Sequence, residues 1–305
     1  MKYQSLHKNP KQFRSVSGMS HRDFTALHRD FATTWHQEMS SYTADGKPRR
    51  RLYGIRSDSV LKTTEDMLLF ILSYLKNNPT QEYHASQWGM TQSQVHPWLR
   101  RCLRLLQATL VTSDMLPART NLDLLERLES MSPTERKGLR LDGTERPIER
   151  PSDTKKQREQ YSGKKKKHTV KNLVLNTADK AVCFLSKTFA GSVHDKRCAD
   201  EVDFIMPEGS EVLQDTGLQG LIIPGATTKQ PTKKPRGKEL TAEQKHENRM
   251  ISQERITIEH SIGGVKVFRI VKDCIRLRSE YLRDCVMEVC VGIYNFKNFR
   301  RKPPC

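Results

Sequence analysis

Through the first third of the chain, apolar residues return at helical spacing. The stretch 20–35, SHRDFTALHRDFATTW, sets Phe24, Leu27, Phe31 and Trp35 on one face, and Ser20 with Asp23 makes a helix-start cap. TTEDMLLFILSYLKNNPT predicts a second helix, capped at Thr63 or Thr64 and stopped by Asn78-Pro79. Between them, GKPRRRLYG breaks the pattern with Gly46, Pro48 and three arginines. It reads as a loop, either a phosphate contact or a solvated charge run.

The next stretch, QEYHASQWGMTQSQVHPWLRRCLRLLQATL, carries a small residue at Ala85, a glycine four residues on at Gly89 and an aliphatic at Val95. A helix-turn-helix needs these three: close packing, a left-handed turn and a core-closing side chain. Thr91 and Gln94 form a capping box for the second helix. Its polar positions Gln92, Ser93, Gln94 and His96, with Arg100 further on, suit the major groove of DNA. Pro97 is expected to kink that helix near its middle. The competing reading is a plain helical hairpin.

From residue 137 the texture changes to strands: GLRLDGTERPIER, KKHTVKNLVLNT, KAVCFLSKTF and EVLQD. TNLDLLERLES before them reads as a connecting helix, with SPTERKG as a linker. SVHDKRCADEVDFIM reads as a helix. SGKKKKH is a basic turn, and 224–239 is Pro-, Gly- and Lys-rich, the texture of a flexible insertion. Helical pattern resumes near Thr241, and the final helix carries Leu282, Val286, Val289, Cys290 and Ile293 as its apolar stripe. The organisation expected is a helical region at 1–62, a helix-turn-helix domain at 63–112, a linker helix at 113–136 and a mixed α/β domain at 137–300 with an insertion at 223–240.

Composition narrows the partners. The 53 Lys and Arg against 35 Asp and Glu leave a net charge of +18, the electrostatic footprint of a nucleic-acid binder. The longest apolar run, MLLFIL, is far short of the roughly 20 residues a membrane span requires. The N-terminus has no apolar signal segment, so a cytoplasmic protein is expected. Seven cysteines, none in a CxxC pair, read as reduced core residues.

Two acids occupy matching places. Asp142 follows LRL and precedes Gly143; Asp215 follows VLQ and precedes Thr216-Gly217. Carboxylates at neighbouring strand ends are hard ligands for divalent metals, although Asp before Gly is also a routine turn pair. A third acid, Glu259, lies on the late helix with Arg255 four residues before it and Lys266 seven after. At about 100° per residue the three share a face, as a metal-and-phosphate site or as a surface salt-bridge ladder. His194-Asp195 in GSVHDK reads first as a helix start, with assistance at the site as the alternative.

In order along the chain, LDGTERPIERP, YSGKKKKHTVK, GSVHDK, QDTGLQG, KKPRGKELTAEQK and RITIEHSIGGVKVFRI resemble the DDE transposases of bacterial insertion sequences, more narrowly the insertion-sequence five family. PTQEYHASQWGMTQSQVHPWL resembles that family's helix-turn-helix. The resemblance implies a ribonuclease-H-like α/β catalytic domain following the helical region. It implies Asp142, Asp215 and Glu259 as the catalytic, metal-holding acids, and Arg255 and Lys266 as members of an arginine–glutamate–lysine signature. Ser252 stands where some relatives carry a tyrosine.

The resemblance further implies two Mg²⁺ ions (or Mn²⁺), strand cleavage at the inverted-repeat ends of an element, and transfer of those ends into target DNA. Double-stranded DNA is the expected partner, bound by a homodimer or higher oligomer in a nucleoid-associated setting. Lys164, Lys165, Lys166 and Lys167 are expected to meet phosphates. The alternatives are a catalytically silent DNA-binding regulator and an endonuclease that cuts without joining.

Overall fold

A computed structural model describes residues 1–43, 47–51, 53–55, 58–234, 237 and 239–300. Gly46 and Leu52 of the arginine-rich loop, and Pro235, Arg236 and Lys238 of the expected insertion, lie outside the described residues. The chain groups into two units.

The first unit is helical: α1 (Tyr3–Leu6), α2 (Pro10–Ser17), α3 (His21–Ser41), α4 (Thr64–Asn77), α5 (Gln81–Trp88) and α6 (Gln92–Thr112). Every residue of α4 from Asp66 to Leu75 is buried. A helix that is apolar on all sides must be covered on all sides, and α1, α2, α3 and α6 supply the cover. Side-chain caps start α3 at Ser20, α4 at Thr63 and α6 at Thr91, the last as a full capping box. Gly89 has φ +65°, the left-handed turn between α5 and α6, and Ala85 and Val95 are buried beneath it. Pro97, expected to kink this helix, lies inside α6, which is one helix of 21 residues. Pro97 falls in its second turn, so the ring removes one early backbone donor, and the apolar face formed by Val95, Leu99, Cys102 and Leu106 carries the helix through.

The second unit begins with α7 (Asn121–Glu129). The expected linker SPTERKG is there a four-residue helix, α8 (Pro133–Arg136), closed by a Ser132–Glu135 capping box. Then follow β1 (Leu139–Pro147), α9 (Thr154–Gln160), β2 (Tyr161–Ser162), β3 (Lys167–Asn176), β4 (Val182–Leu185), β5 (Phe189–Ala190), α10 (Asp195–Val202), β6 (Ser210–Gln214), β7 (Ala226–Lys229) and α11 (Ala242–Val265). The sheet order is β2-β3-β1-β6-β7, with β4 and β5 also paired to β3. β3 runs antiparallel to β1, whereas β6 is parallel to β1 and β7 parallel to β6. Mixed pairing of this kind, with helices on both faces, is the α/β arrangement the sequence implies.

Leu139, Leu141, Leu173, Leu175 and Val212 pack with Leu124 and Leu128 of α7 and Cys198 and Ala199 of α10 in one core. Successive side chains on a strand point to opposite faces, so Arg140 and Asp142 face the other way, toward α11. There the Arg140 Nε–H donates to the Glu254 carbonyl at 2.8 Å, and Asn176 Nδ2 donates to Ser261 Oγ at 2.8 Å. Buried Ile258 and Val265 complete the seat of α11.

Two boundaries differ from the sequence reading. Within the region read as a flexible insertion, Ala226–Lys229 pair with Ser210–Leu213 as an edge strand. The last helices also divide differently: α12 (Arg269–Lys272) and the greater part of α13 (Glu280–Phe299), from Cys285 on, group with the first unit, not with the sheet. Gln107 Nε2 donates to Glu288 at 2.6 Å, Asn295 Nδ2 to the Met115 carbonyl at 3.0 Å and Lys297 Nζ to the Gly18 carbonyl at 2.8 Å. The apolar stripe of α13 is thus used to close the helical unit, and residues 274–284 remain with the sheet. No helix among the described residues is long and apolar enough to cross a membrane. Cys102, Cys183, Cys198, Cys285 and Cys290 are buried and unbridged, and Cys274 is exposed; burial pushes the Cys102 and Cys183 thiols up to about 12, so they are inert.

Candidate active site

The parallel register of β1 and β6 builds the site. Leu139, Arg140 and Leu141 lie opposite Val212, Leu213 and Gln214. The residue following the last pair is Asp142 on one strand and Asp215 on the other. Equivalent positions on neighbouring parallel strands share a face and lie about 4.8 Å apart at the backbone, so the fold itself delivers two carboxylates side by side. Past this point β1 continues against β3 alone, with Asp142 opposite Val174. Asp215 caps a short 3-10 turn, Thr216–Leu218, which leads the chain away from the sheet.

Each carboxylate is oriented by its own turn. The Gly143 N–H donates to Asp142 Oδ1 at 2.7 Å, and the Thr216 N–H to Asp215 Oδ1 at 2.8 Å. A single guanidinium reaches both acids from α11. Arg255 Nη1 donates to Asp215 Oδ1 at 3.0 Å, and Nη2 lies 3.8 Å from Asp142 Oδ2. The Arg255 side chain is 14% exposed, so the contact is enclosed rather than a surface ladder. Burial pushes the Asp142 carboxyl up to about 6, and the Asp215 and Asp195 charges add to the rise; the Arg255 guanidinium and the Gly143 N–H pull the other way.

The remaining predicted residues are placed differently. Glu259 is exposed on α11, one turn beyond Arg255, and is not drawn into the pair. Among the described residues no three Asp, Glu, His or Cys side chains come close enough to share an ion. Lys266 follows the end of α11, half-buried, and groups with the helical unit. His260 is exposed.

Asp195, read from sequence first as a helix start, does begin α10, with His194 as its cap. It also does more. A Cβ at Gly143 would fall 3.2 Å from the Asp195 carboxyl, and one at Gly217 would fall 3.4 Å from Asp195 Oδ2 and 3.9 Å from Asp215 Oδ2. The glycines beside both aspartates are therefore where the backbone passes closest to a third acid. That acid is held from the α10 side of the sheet by Lys171, whose Nζ lies 3.0 Å from Asp195 and 3.7 Å from Glu145. The sequence signal for Lys171 was a lysine interrupting the apolar run TVKNLVL. Arg146 is fully buried; it donates to Asn172 Oδ1 at 2.8 Å, to Thr188 Oγ1 at 3.1 Å and to the Arg283 carbonyl at 3.0 Å. Sequence alone offered no reason to bury it.

In the helical unit, Gln92, Ser93, Gln94, His96 and Arg100 are all exposed on the first turns of α6. Gln94 is partly committed to the cap: its Oε1 accepts from the Thr91 N–H at 2.9 Å. Gln92 Nε2 donates to Gln81 at 3.1 Å, and Ser93 shares a hydrogen bond with Thr91. Lys164, Lys165 and Lys166 lie in the exposed β2–β3 turn and Lys167, also exposed, opens β3; Lys166 is in the left-handed region at φ 54°.

Residues 141–295 match the family described as DDE superfamily endonuclease, a span beginning one residue before Asp142 and including Asp215, Arg255 and Glu259. The chain belongs to that family. Residues 59–112, covering α4 to α6, match the helix-turn-helix of DDE superfamily endonucleases, which makes this DDE endonuclease a DNA-cleaving enzyme with its own DNA-binding module. It is 28% identical over 290 residues to the probable transposase for insertion sequence element IS702 of Microchaete diplosiphon, covering 94% of each chain. No solved structure matches it.

For a metal-dependent endonuclease, the donor set at the two strand ends is suitable. Asp142 and Asp215 offer hard carboxylate oxygens on one face, and a cationic group, the Arg255 guanidinium, already lies against both.

Proposed function

We propose that this chain is the transposase of an insertion sequence, binding the element's inverted-repeat ends, cutting there and joining them to target DNA. The observation that carries the reading is the pairing of Asp142 and Asp215 at one end of two parallel strands, beneath a guanidinium. The near full-length likeness to a probable insertion-sequence transposase supports the same reading.

In this reading Asp142 and Asp215 would hold Mg²⁺ or Mn²⁺, two ions in all, and Glu259, which lies outside the pair in this structure, would join them when the ions bind. Bound there, such ions would supply activation of a water and charge stabilisation at the leaving 3′ oxygen. The chain's own groups do the positioning. Gly143 and Thr216 N–H groups aim the two carboxylates. Lys266 positions phosphate, Arg255 supports the acids, and Lys164–Lys167 neutralise the DNA backbone, each contact releasing counterions. Gln92, Ser93, His96 and Arg100 address the terminal repeats from the start of α6; Gln94 serves chiefly the cap. Joining two ends requires at least two protomers on the DNA, in the cytoplasm beside the nucleoid.

Incubating the full chain with end-bearing duplex and Mg²⁺ separates the outcomes. Strand transfer is expected. Nicking alone would make it an endonuclease without joining, and binding alone a regulator. Asp142→Asn, Asp215→Asn and Glu259→Gln are each expected to lower cleavage at least a thousandfold while duplex affinity stays within about threefold. Retained cleavage in Asp142→Asn or Asp215→Asn contradicts the assignment.

A further inference from the structure

We propose that Arg255 is the resident counter-cation of the Asp142–Asp215 pair and is exchanged for a divalent ion when the site is loaded. The proposal rests on the reading of those aspartates as ion-binding groups.

Three observations support it. One guanidinium spans both carboxylates, at 3.0 Å to Asp215 and 3.8 Å to Asp142. Its hold is confined to them: Arg255 Nε is buried with no hydrogen-bond partner. Arg140, on the same face of the sheet, is anchored quite differently. Its guanidinium donates to the backbone carbonyls of Glu254 and Gly138, at 2.8 Å and 2.5 Å. A divalent cation does not compete for those bonds, but it competes directly for every oxygen that Arg255 holds. Third, Lys171 plays the matching part across the sheet, with Asp195 and Glu145 on its ammonium. Each acid beside the site is thus balanced by a cation of this chain, and the pair served by Arg255 is the one the fold places at the strand ends.

The two occupants oppose one another in charge and in oxygen ligands, so their binding is linked. Removing the guanidinium charge raises affinity for the ion. A released guanidinium has the planar fork that pairs with phosphate, so DNA phosphate favours the same exchange. By reciprocity, DNA then tightens ion binding in the wild type.

The test is Mn²⁺ binding to the full chain, by calorimetry and by the electron paramagnetic resonance signal of free Mn²⁺, without DNA. Arg255→Gln is expected to bind on the order of tenfold tighter than wild type, since an opposing charge a few ångströms away is removed. Arg255→Lys keeps the charge but not the fork, and is expected to fall between them. Affinity in Arg255→Gln equal to or below wild type, with binding still lost in Asp142→Asn and Asp215→Asn, overturns the exchange and leaves the ion-site reading intact. Mn²⁺ binding that survives in both aspartate variants overturns the ion-site reading itself. If Arg255→Gln does not fold, Arg255→Lys decides, and an affinity no higher than wild type overturns the exchange.

Discussion

Asp142 pays for its position. A carboxyl that titrates near 3.9 in an unfolded chain is pushed up to about 6 in the fold, with burial the leading cause. The folded state therefore favours the protonated form. The associated stability is fully present below about pH 4 and is lost as pH rises toward 6. At neutral pH the ionised side chain costs the fold no more than about 3 kcal/mol, because a tenfold change in a protonation equilibrium is worth about 1.4 kcal/mol. Asp142→Asn removes that cost. Denaturant melts should show the variant more stable than wild type at pH 7 and the difference vanishing near pH 4. A variant equally destabilised at both would contradict a stability cost from the ionised Asp142.

Among the elements, what was legible was local. Alternation, caps and glycines announced α3, α4, the α5–α6 turn, β1, β3 and β6 in the sequence. Asp142 and Asp215 stood out because each ends an apolar strand run beside a turn. Their adjacency was implied by resemblance, but its physical cause, the parallel register of Leu139–Leu141 with Val212–Gln214, is a tertiary fact that no local pattern encodes. For the same reason the sequence set Arg255 on one face with Glu259 and Lys266, whereas its contact with Asp142 and Asp215 depends on how α11 is seated on the sheet. The C-terminal helix was legible as a helix but not in its allegiance, since an amphipathic stripe does not name its partner. It packs closely on the helical unit at Gly292, where a Cβ would fall 2.6 Å from Leu116 Cδ2 and 3.0 Å from Leu110 Cδ1. Gly292→Val is accordingly expected to destabilise the helical unit by about 1–3 kcal/mol, as overpacking does. All three tryptophans, Trp35, Trp88 and Trp98, lie in that unit, so their fluorescence reports its melt. An unchanged tryptophan transition would place the end of the chain elsewhere.

Taken as a whole, the chain carries a capped helical unit and a mixed sheet whose strand ends carry acids, with a net charge of +18. The net charge suits a DNA partner, α6 exposes the polar residues proposed to read it, and β1 and β6 end side by side where cutting is proposed. The ion-binding role proposed for those strand ends is open to direct mapping. Fe²⁺ substituted for Mg²⁺ in the full chain, with ascorbate and peroxide, cleaves peptide backbone beside the ligands it occupies. Cuts are expected at 142–143 and 215–217 together, both suppressed by excess Mg²⁺ and both absent from Asp142→Asn. Cuts confined to other segments, or insensitive to Mg²⁺ and to that substitution, would contradict an ion site at the paired strand ends.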